Sequence, residues 1–210
     1  EDGGTVTAER LLVATGRMPR SDMIGLESVG IESGGYLETD DRMRIGGTGW
    51  LYAIGDVNGR SLLTHAGKYQ AWVAAQAILG REARPLAEEA GMPRVTFTDP
   101  QVAATGLTLE AARERGLDAI ALDTPTDGTP GASFEGKGTG GTCRLVVESG
   151  SGVVRGATFT GYDTAEWIHA ATLAVAAGLS MDRLRHAVPA FPTRSEIWLR
   201  LQEEWEHRTD

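Results

Sequence analysis

One cysteine, Cys143, occurs in 210 residues. That excludes a disulfide framework, a thiolate metal centre and a redox cysteine pair within the chain. The four histidines, His65, His169, His186 and His207, have no histidine partner one helical turn away and no neighbouring cysteine, so no metal-ligand set is present. No apolar run reaches the length of about 18 residues that a membrane helix needs, and no basic-then-apolar leader opens the chain. The expected protein is soluble and cytoplasmic, with no membrane span. Basic residues are scarce, 20 against 29 acidic, for a net charge of -9. With no cluster of Lys and Arg interleaved with aromatics, nucleic acid is excluded as a partner. G-x-S-x-G, the nucleophile turn of many hydrolases, is absent too.

Hydrophobic residues make up 41% of the chain, enough for one large or two small cores. Residues Thr5 to Ala14, TVTAERLLVA, alternate and then turn wholly apolar, which predicts a ribbon strand running into a buried one. Thr15 to Pro19 breaks it. A second strand is expected at GWLYAIGDV, residues 49 to 57, followed by a helix through LLTHAGKYQAWVAAQAIL that stops at Gly80. Residues 81 to 93 are polar, contain two prolines and read as a linker. Beyond them come strands at RVTFT, VAATGL, DAIALDT, TCRLVVES and VVRGATFTG, with a helix near Leu109 to Arg115, a long one near Thr164 to Ala177, and a last one from Arg194. The expected fold class is therefore α/β, a partial Rossmann-like region over residues 1–88, followed by an α+β domain over 92–210.

Gly136 to Gly141, GKGTGG, matches G-x-G-x-x-G letter for letter. A dinucleotide fingerprint needs a strand before it and a helix opening after it, whose N–H groups face the pyrophosphate. Here a Gly/Pro/Ser-rich loop precedes and a strand follows, so the stretch reads as a flexible loop. More informative is LYAIGDV, Leu51 to Val57. It places Asp56 at the carboxyl end of a strand just before a helix, where doubly wound folds bind ligands. Gly55 allows a ligand close to the backbone, and the Asp56 carboxylate accepts hydrogen bonds from sugar-like hydroxyls. The alternative is that Asp56 is only a turn residue. Trp72, Trp167, Trp198 and Trp205 fall on expected helices and read as core or interface anchors. Cys143, in an alternating strand, reads as a small buried hydrophobe.

Four segments, VATGRMPR, GYLETDDRMRIGGTGWLYAIGDVNGRSLLTHAGKYQ, PRVTFTDPQVAATGLT and FPTRSEIW, stand in an order and spacing that resemble the C-terminal half of the pyridine nucleotide-disulfide oxidoreductases. The resemblance extends over nearly all of the chain. It implies FAD and NAD(P)H as cofactors. Asp56 would hold the ribityl chain of FAD, with Gly55 beside it; the backbone of Leu62, Leu63, Thr64 and His65 would lie against the flavin pyrimidine; and Gly16 would lie near the nicotinamide. Residues 92–210 would form a homodimer, for which Trp198, Leu199, Leu201 and Trp205 are the expected anchors. The family's Gly-rich fingerprints and Cys-x4-Cys pair are not in this chain, which begins with Glu1. It is expected to be a fragment, inactive alone. In disulfide reductases of the family the last motif reads His-Pro-Thr-x-x-Glu, the Glu orienting an acid/base His. Glu196 is present, but Phe191 stands in place of the His. The expectation is an oxidoreductase passing electrons from NAD(P)H through FAD to a small-molecule acceptor, a quinone suiting an aromatic wall. Alternatives are a disulfide reductase and a non-catalytic dimerisation module.

Overall fold

The computed structural model describes residues 3–136 and 140–209. The chain divides into two compact units, Glu1–Ala83 and Arg84–Asp210.

In the first unit residues 4–20 form neither helix nor strand, and Val6, Leu11, Leu12 and Val13 are exposed. The strand expected at 5–14 is therefore absent. The strand expected at 49–57 is absent as well, leaving only isolated bridges between Arg44 and Tyr52 and between Thr39 and Ile45. The reason is physical: a strand is held by ladder hydrogen bonds to a neighbour, and among the described residues no ladder forms beside either segment. Helix α1, Thr64–Ile78, forms as its periodicity predicts, burying Ala66, Gln70, Val73 and Ala74 on one face. Gly80 follows it with φ +70° and donates its N–H to the Ala77 carbonyl, the left-handed stop that glycine supplies without strain. Two small apolar clusters hold the unit. Leu26, Leu37, Ile45 and Ala53 form one, and Met43, Val73, Ala74 and Ala83 the other.

The second unit opens with a short helix, α2, Leu86–Ala90, inside the stretch that composition marks as linker. Next come β1 Arg94–Thr96, β2 Gln101–Gly106, α3 Leu109–Glu114, β3 Ala119–Pro125, β4 Thr142–Glu148, β5 Val154–Gly161, α4 Thr164–Ala176, α5 Met181–Leu184 and α6 Ile197–Thr209. The five strands form one antiparallel sheet in the order β1-β2-β5-β4-β3. Its register writes the core. One row across the sheet is Ala103, Phe159, Cys143 and Thr124, and another is Thr105, Ala157, Leu145 and Leu122, all buried. The row between them carries Ala104, Thr158, Arg144 and Asp123 on the opposite face, the period-two alternation of a sheet, and on that same face Val146 is buried with Ala119 and with Ala112 of α3. Helices α4 and α6 cover the apolar face.

Phe159 is the largest fully buried side chain. It stacks on Trp167 at 4.9 Å and meets Trp198 edge-on at 6.5 Å, geometries in which aromatic pairs attract beyond their buried area. Leu201 is 0% and Trp205 9% exposed, both within this core. That corrects their expected role as dimer anchors: α6 turns these residues toward its own sheet, and only Leu199 of the expected set is exposed. Where β2 enters its turn, backbones touch. A Cβ on Gly106 would lie 2.3 Å from the Arg155 carbonyl oxygen, and one on Gly156 would lie 1.9 Å from that of Leu107.

Among the described residues, β4 begins at Thr142, directly after the Gly-rich stretch, and no helix opens between Gly136 and that strand. Lys137, Gly138 and Thr139, the centre of the apparent fingerprint, lie outside the described residues. Among the described residues no helix is long and apolar enough to cross a membrane.

Candidate functional site

Gly55–Asn58 form a 3₁₀ turn, and Gly55 itself has φ +74°. A Cβ on Gly67 would lie 3.1 Å from the Gly55 Cα, so the turn rests on the first turns of α1 almost backbone to backbone. Two buried amides hold it. The Gln70 Oε1 accepts from the Gly55 N–H at 2.7 Å and from the Asn58 Nδ2 at 2.9 Å, and Asn58 also donates to the Ala53 carbonyl at 3.1 Å. A satisfied buried network of this kind specifies one geometry, because each partner left unmade would cost its full desolvation. Neither Gln70 nor Asn58 stands out in the sequence, where both read as ordinary polar residues.

That turn presents Asp56 half-exposed at the rim of a cleft of about 250 Å³ lined by Arg17, Met18, Pro19, Tyr36, Asp56 and Leu62 among others. Arg17 reaches the Asp56 carboxylate at 3.1 Å, and the Tyr36 hydroxyl donates to the Arg17 carbonyl at 3.1 Å. Gly16, exposed with φ +96°, immediately precedes Arg17. The structure thus gathers Asp56, Leu62 and Arg17 around one cleft, with Gly16 next to Arg17 in the chain but outside the lining. Its size suits a portion of a large ligand, since pockets that hold a whole small molecule run to about 300–1,000 Å³. Thr64 and His65, both exposed, open α1, whose N-cap Leu63 offers no side-chain acceptor and whose first turn has no acidic residue. A helix 15 residues long therefore brings the positive end of its dipole to this point, where it favours an electron-rich edge. A carboxylate for polyol hydroxyls beside the positive end of a helix dipole for a carbonyl-bearing ring is a set that fits FAD. Arg17 and Tyr36 carry no assigned role in the sequence, although both belong to quoted segments, VATGRMPR and the one opening GYLE.

The second unit holds the other expected residues. Phe191 is 76% exposed on the loop between α5 and α6. Glu196 does not reach toward it as an orienting group. Its Oε2 accepts the Thr193 N–H at 3.1 Å, and the Thr193 side chain accepts in return from the Glu196 backbone, a capping box that starts α6. His186 is exposed and donates its backbone N–H to the Arg183 carbonyl at the end of the α5 turn, as expected of a helix-end residue. Arg194 had no role in the sequence reading. Its Nη1 donates to the Thr126 carbonyl at 2.7 Å, across 68 residues of chain. Burial lowers the pKa of Arg194 and the nearby Asp127 raises it; a guanidinium stays charged under both. Cys143 is buried and its thiol is pushed up, first by burial and then by Asp123. It stays protonated and inert, as a packing residue does.

Comparison with known proteins follows the same division. Residues 1–78 match the family model of pyridine nucleotide-disulphide oxidoreductase, and residues 92–201 match the dimerisation domain of that family. The dihydrolipoyl dehydrogenase of Bacillus subtilis is 33% identical over 201 residues, which cover 95% of this chain and 42% of that protein. That of Mycobacterium tuberculosis is 36% identical over 192 residues, 90% of this chain and 41% of its own length. Among solved structures, the HOCl-induced flavoprotein disulfide reductase RclA from Escherichia coli aligns with a TM-score of 0.79 at 25% identity, covering 90% of this chain and 44% of that one. The chain spans about two fifths of the length of the curated relatives it matches. Its α/β and α+β classes are those of the matched domains. The chain belongs to the pyridine nucleotide-disulphide oxidoreductases, a family that uses FAD and NAD(P)H.

Proposed function

We propose that the protein is an FAD-dependent NAD(P)H oxidoreductase acting on a disulfide, to which this chain contributes part of the flavin site and a homodimerising domain over residues 92–210. The observation that carries the flavin part is the Asp56 turn seated on the uncapped start of α1. Asp56 accepts hydrogen bonds from the ribityl hydroxyls, exchanging its contact with Arg17 for them. Gly55 lets the ligand approach the backbone. The backbone of Leu62, Leu63, Thr64 and His65 would lie against the flavin pyrimidine, where the positive end of the α1 dipole would favour negative charge on the ring. Gly16 lies beside the nicotinamide end. When bound, FAD supplies the relay between a two-electron hydride donor and the acceptor. A cytoplasmic homodimer belongs to the same reading.

Reducing a disulfide to two thiols with NAD(P)H consumes one proton from the medium. Phe191 carries none, and Glu196 is held in its capping box. Water must therefore deliver the proton, and a general acid at this position is worth roughly 10² to 10⁴ in rate. The quinone acceptor that Phe191 suggests has no support among the relatives, which are dihydrolipoyl dehydrogenases and a flavoprotein disulfide reductase. They favour the disulfide. The deciding measurement is turnover of the full-length protein by NAD(P)H with lipoamide, glutathione disulfide or a small quinone. Disulfide turnover faster than quinone turnover, raised about 10²-fold by Phe191→His, is the expected result. Faster quinone turnover, unchanged by the histidine, would overturn it.

A further inference from the structure

We infer that Thr126 and the Pro130–Glu135 3₁₀ helix form a positioning element for Phe191, acting through Gly131 and through Arg194 at the base of the Phe191 loop. This rests on the reading above, in which residue 191 stands at the reacting centre. Phe191 sits on an exposed loop, so its placement depends on how firmly that loop is fastened at its base. At Thr193 and Arg194 the chain passes against Gly131 of the Pro130–Glu135 3₁₀ helix. A Cβ on Gly131 would lie 2.2 Å from the Thr193 carbonyl carbon and 2.6 Å from the Arg194 nitrogen. Both are backbone atoms, which cannot swing aside as a side chain can.

One residue on, the Arg194 guanidinium crosses to the Thr126 carbonyl at 2.7 Å. Thr126 is itself immobilised. It is 1% exposed, its N–H donates to the Gly141 carbonyl at 3.0 Å, and its hydroxyl donates to the Thr160 carbonyl at 3.3 Å. A charged donor on a carbonyl so anchored ties the loop base to the end of the sheet. The capping box fixes the same residues from the α6 side. Between them Thr193 and Arg194 are held from both directions, and Phe191 lies two residues from the clamp.

The test uses the full-length protein and three variants, Arg194→Lys, Arg194→Met and Gly131→Ala. Two readouts are needed: amide hydrogen exchange of residues 186–195, and the separate rates of flavin reduction by NAD(P)H and of its reoxidation by disulfide. Arg194→Met is expected to speed exchange in the loop about tenfold, the range of one lost charge-assisted hydrogen bond. Reoxidation should slow by a similar factor while flavin reduction stays within about twofold. Arg194→Lys, which keeps one donor, should recover part of both effects. Gly131→Ala should resemble Arg194→Met if it folds, and the two Arg194 variants decide the matter if it does not. Unchanged exchange overturns the clamp. Faster exchange with unchanged reoxidation overturns its role in placing Phe191. If neither wild type nor variants reoxidise with a disulfide, the disulfide reading fails, and exchange together with reoxidation by a quinone still decides the clamp.

Discussion

The two units handle similar apolar sequence in opposite ways. In the second, every expected strand finds a neighbour, and the alternation of β4 and β5 becomes a face covered by α4 and α6 and one that α3 covers only in part. In the first, LLVA is at least as apolar, yet Leu11 and Leu12 stay exposed and the backbone is irregular. The difference lies in the partner. Antiparallel strands can close on one another through turns a few residues long, so RLVV and RGATF meet within one short stretch of chain. A buried strand of a doubly wound sheet needs strands and helices from elsewhere, because parallel neighbours come only through long crossovers. Hydrophobic pattern specifies which face is to be covered. It does not supply the cover.

This contrast can be broken by substitution. The largest effect is expected at Phe159→Ala, which empties the centre of the second unit and should cost about 3–5 kcal/mol in denaturant unfolding. Hydrogen exchange should place the loss in β2, β4 and β5, with the turn at Gly55 unaffected. A smaller effect, about 2 kcal/mol, is expected at Gln70→Leu in the first unit, where two buried donors lose their acceptor. Loss of protection of equal size in the sheet of the second unit would show the two units to be one cooperative body. The smallest is Asp123→Asn. The Arg144 hydrogen bond, at 2.7 Å, holds Asp123 below its ordinary value of 3.8. A folded pKa below the unfolded one stabilises the fold above the unfolded pKa, and that gain disappears as pH falls through the folded value. The pair is half-exposed and screened, so the variant should lose only about 0.5 kcal/mol at neutral pH. Once the pH has fallen through the folded value the two proteins should unfold alike. A difference that persists there would locate the effect in packing.

The sequence was most legible where structure is local. Helix α1, its stop at Gly80, the alternation of β5 and the start of the last helix all follow from periodicity and caps within a few residues. The start of α6 was legible down to Glu196, because a capping box is a four-residue signal. What could not be read is contact between distant segments. Arg194 looks like any surface arginine until Thr126 is placed beside it, and Gly131 looks like loop composition until Thr193 is seen against it. The reverse error occurred at Leu201 and Trp205. Their spacing reports a sticky face of α6, and only the fold determines that the face belongs to its own sheet. At the flavin site the motif pointed to Asp56, while the side chains that hold its turn, Gln70 and Asn58, lie in the same quoted segment but were assigned no role.

The touching backbones at Gly106 and Gly156 also constrain the gene. Every glycine codon begins GG, and any single-base change that alters the amino acid installs a residue with a Cβ, or ends translation. At these two positions that atom would overlap a main-chain carbonyl oxygen, at 2.3 Å and 1.9 Å. No small substitution offers an intermediate, since alanine already brings the offending atom. Only synonymous third-base changes leave the protein as it is, so at these two codons every tolerated single-base change is silent.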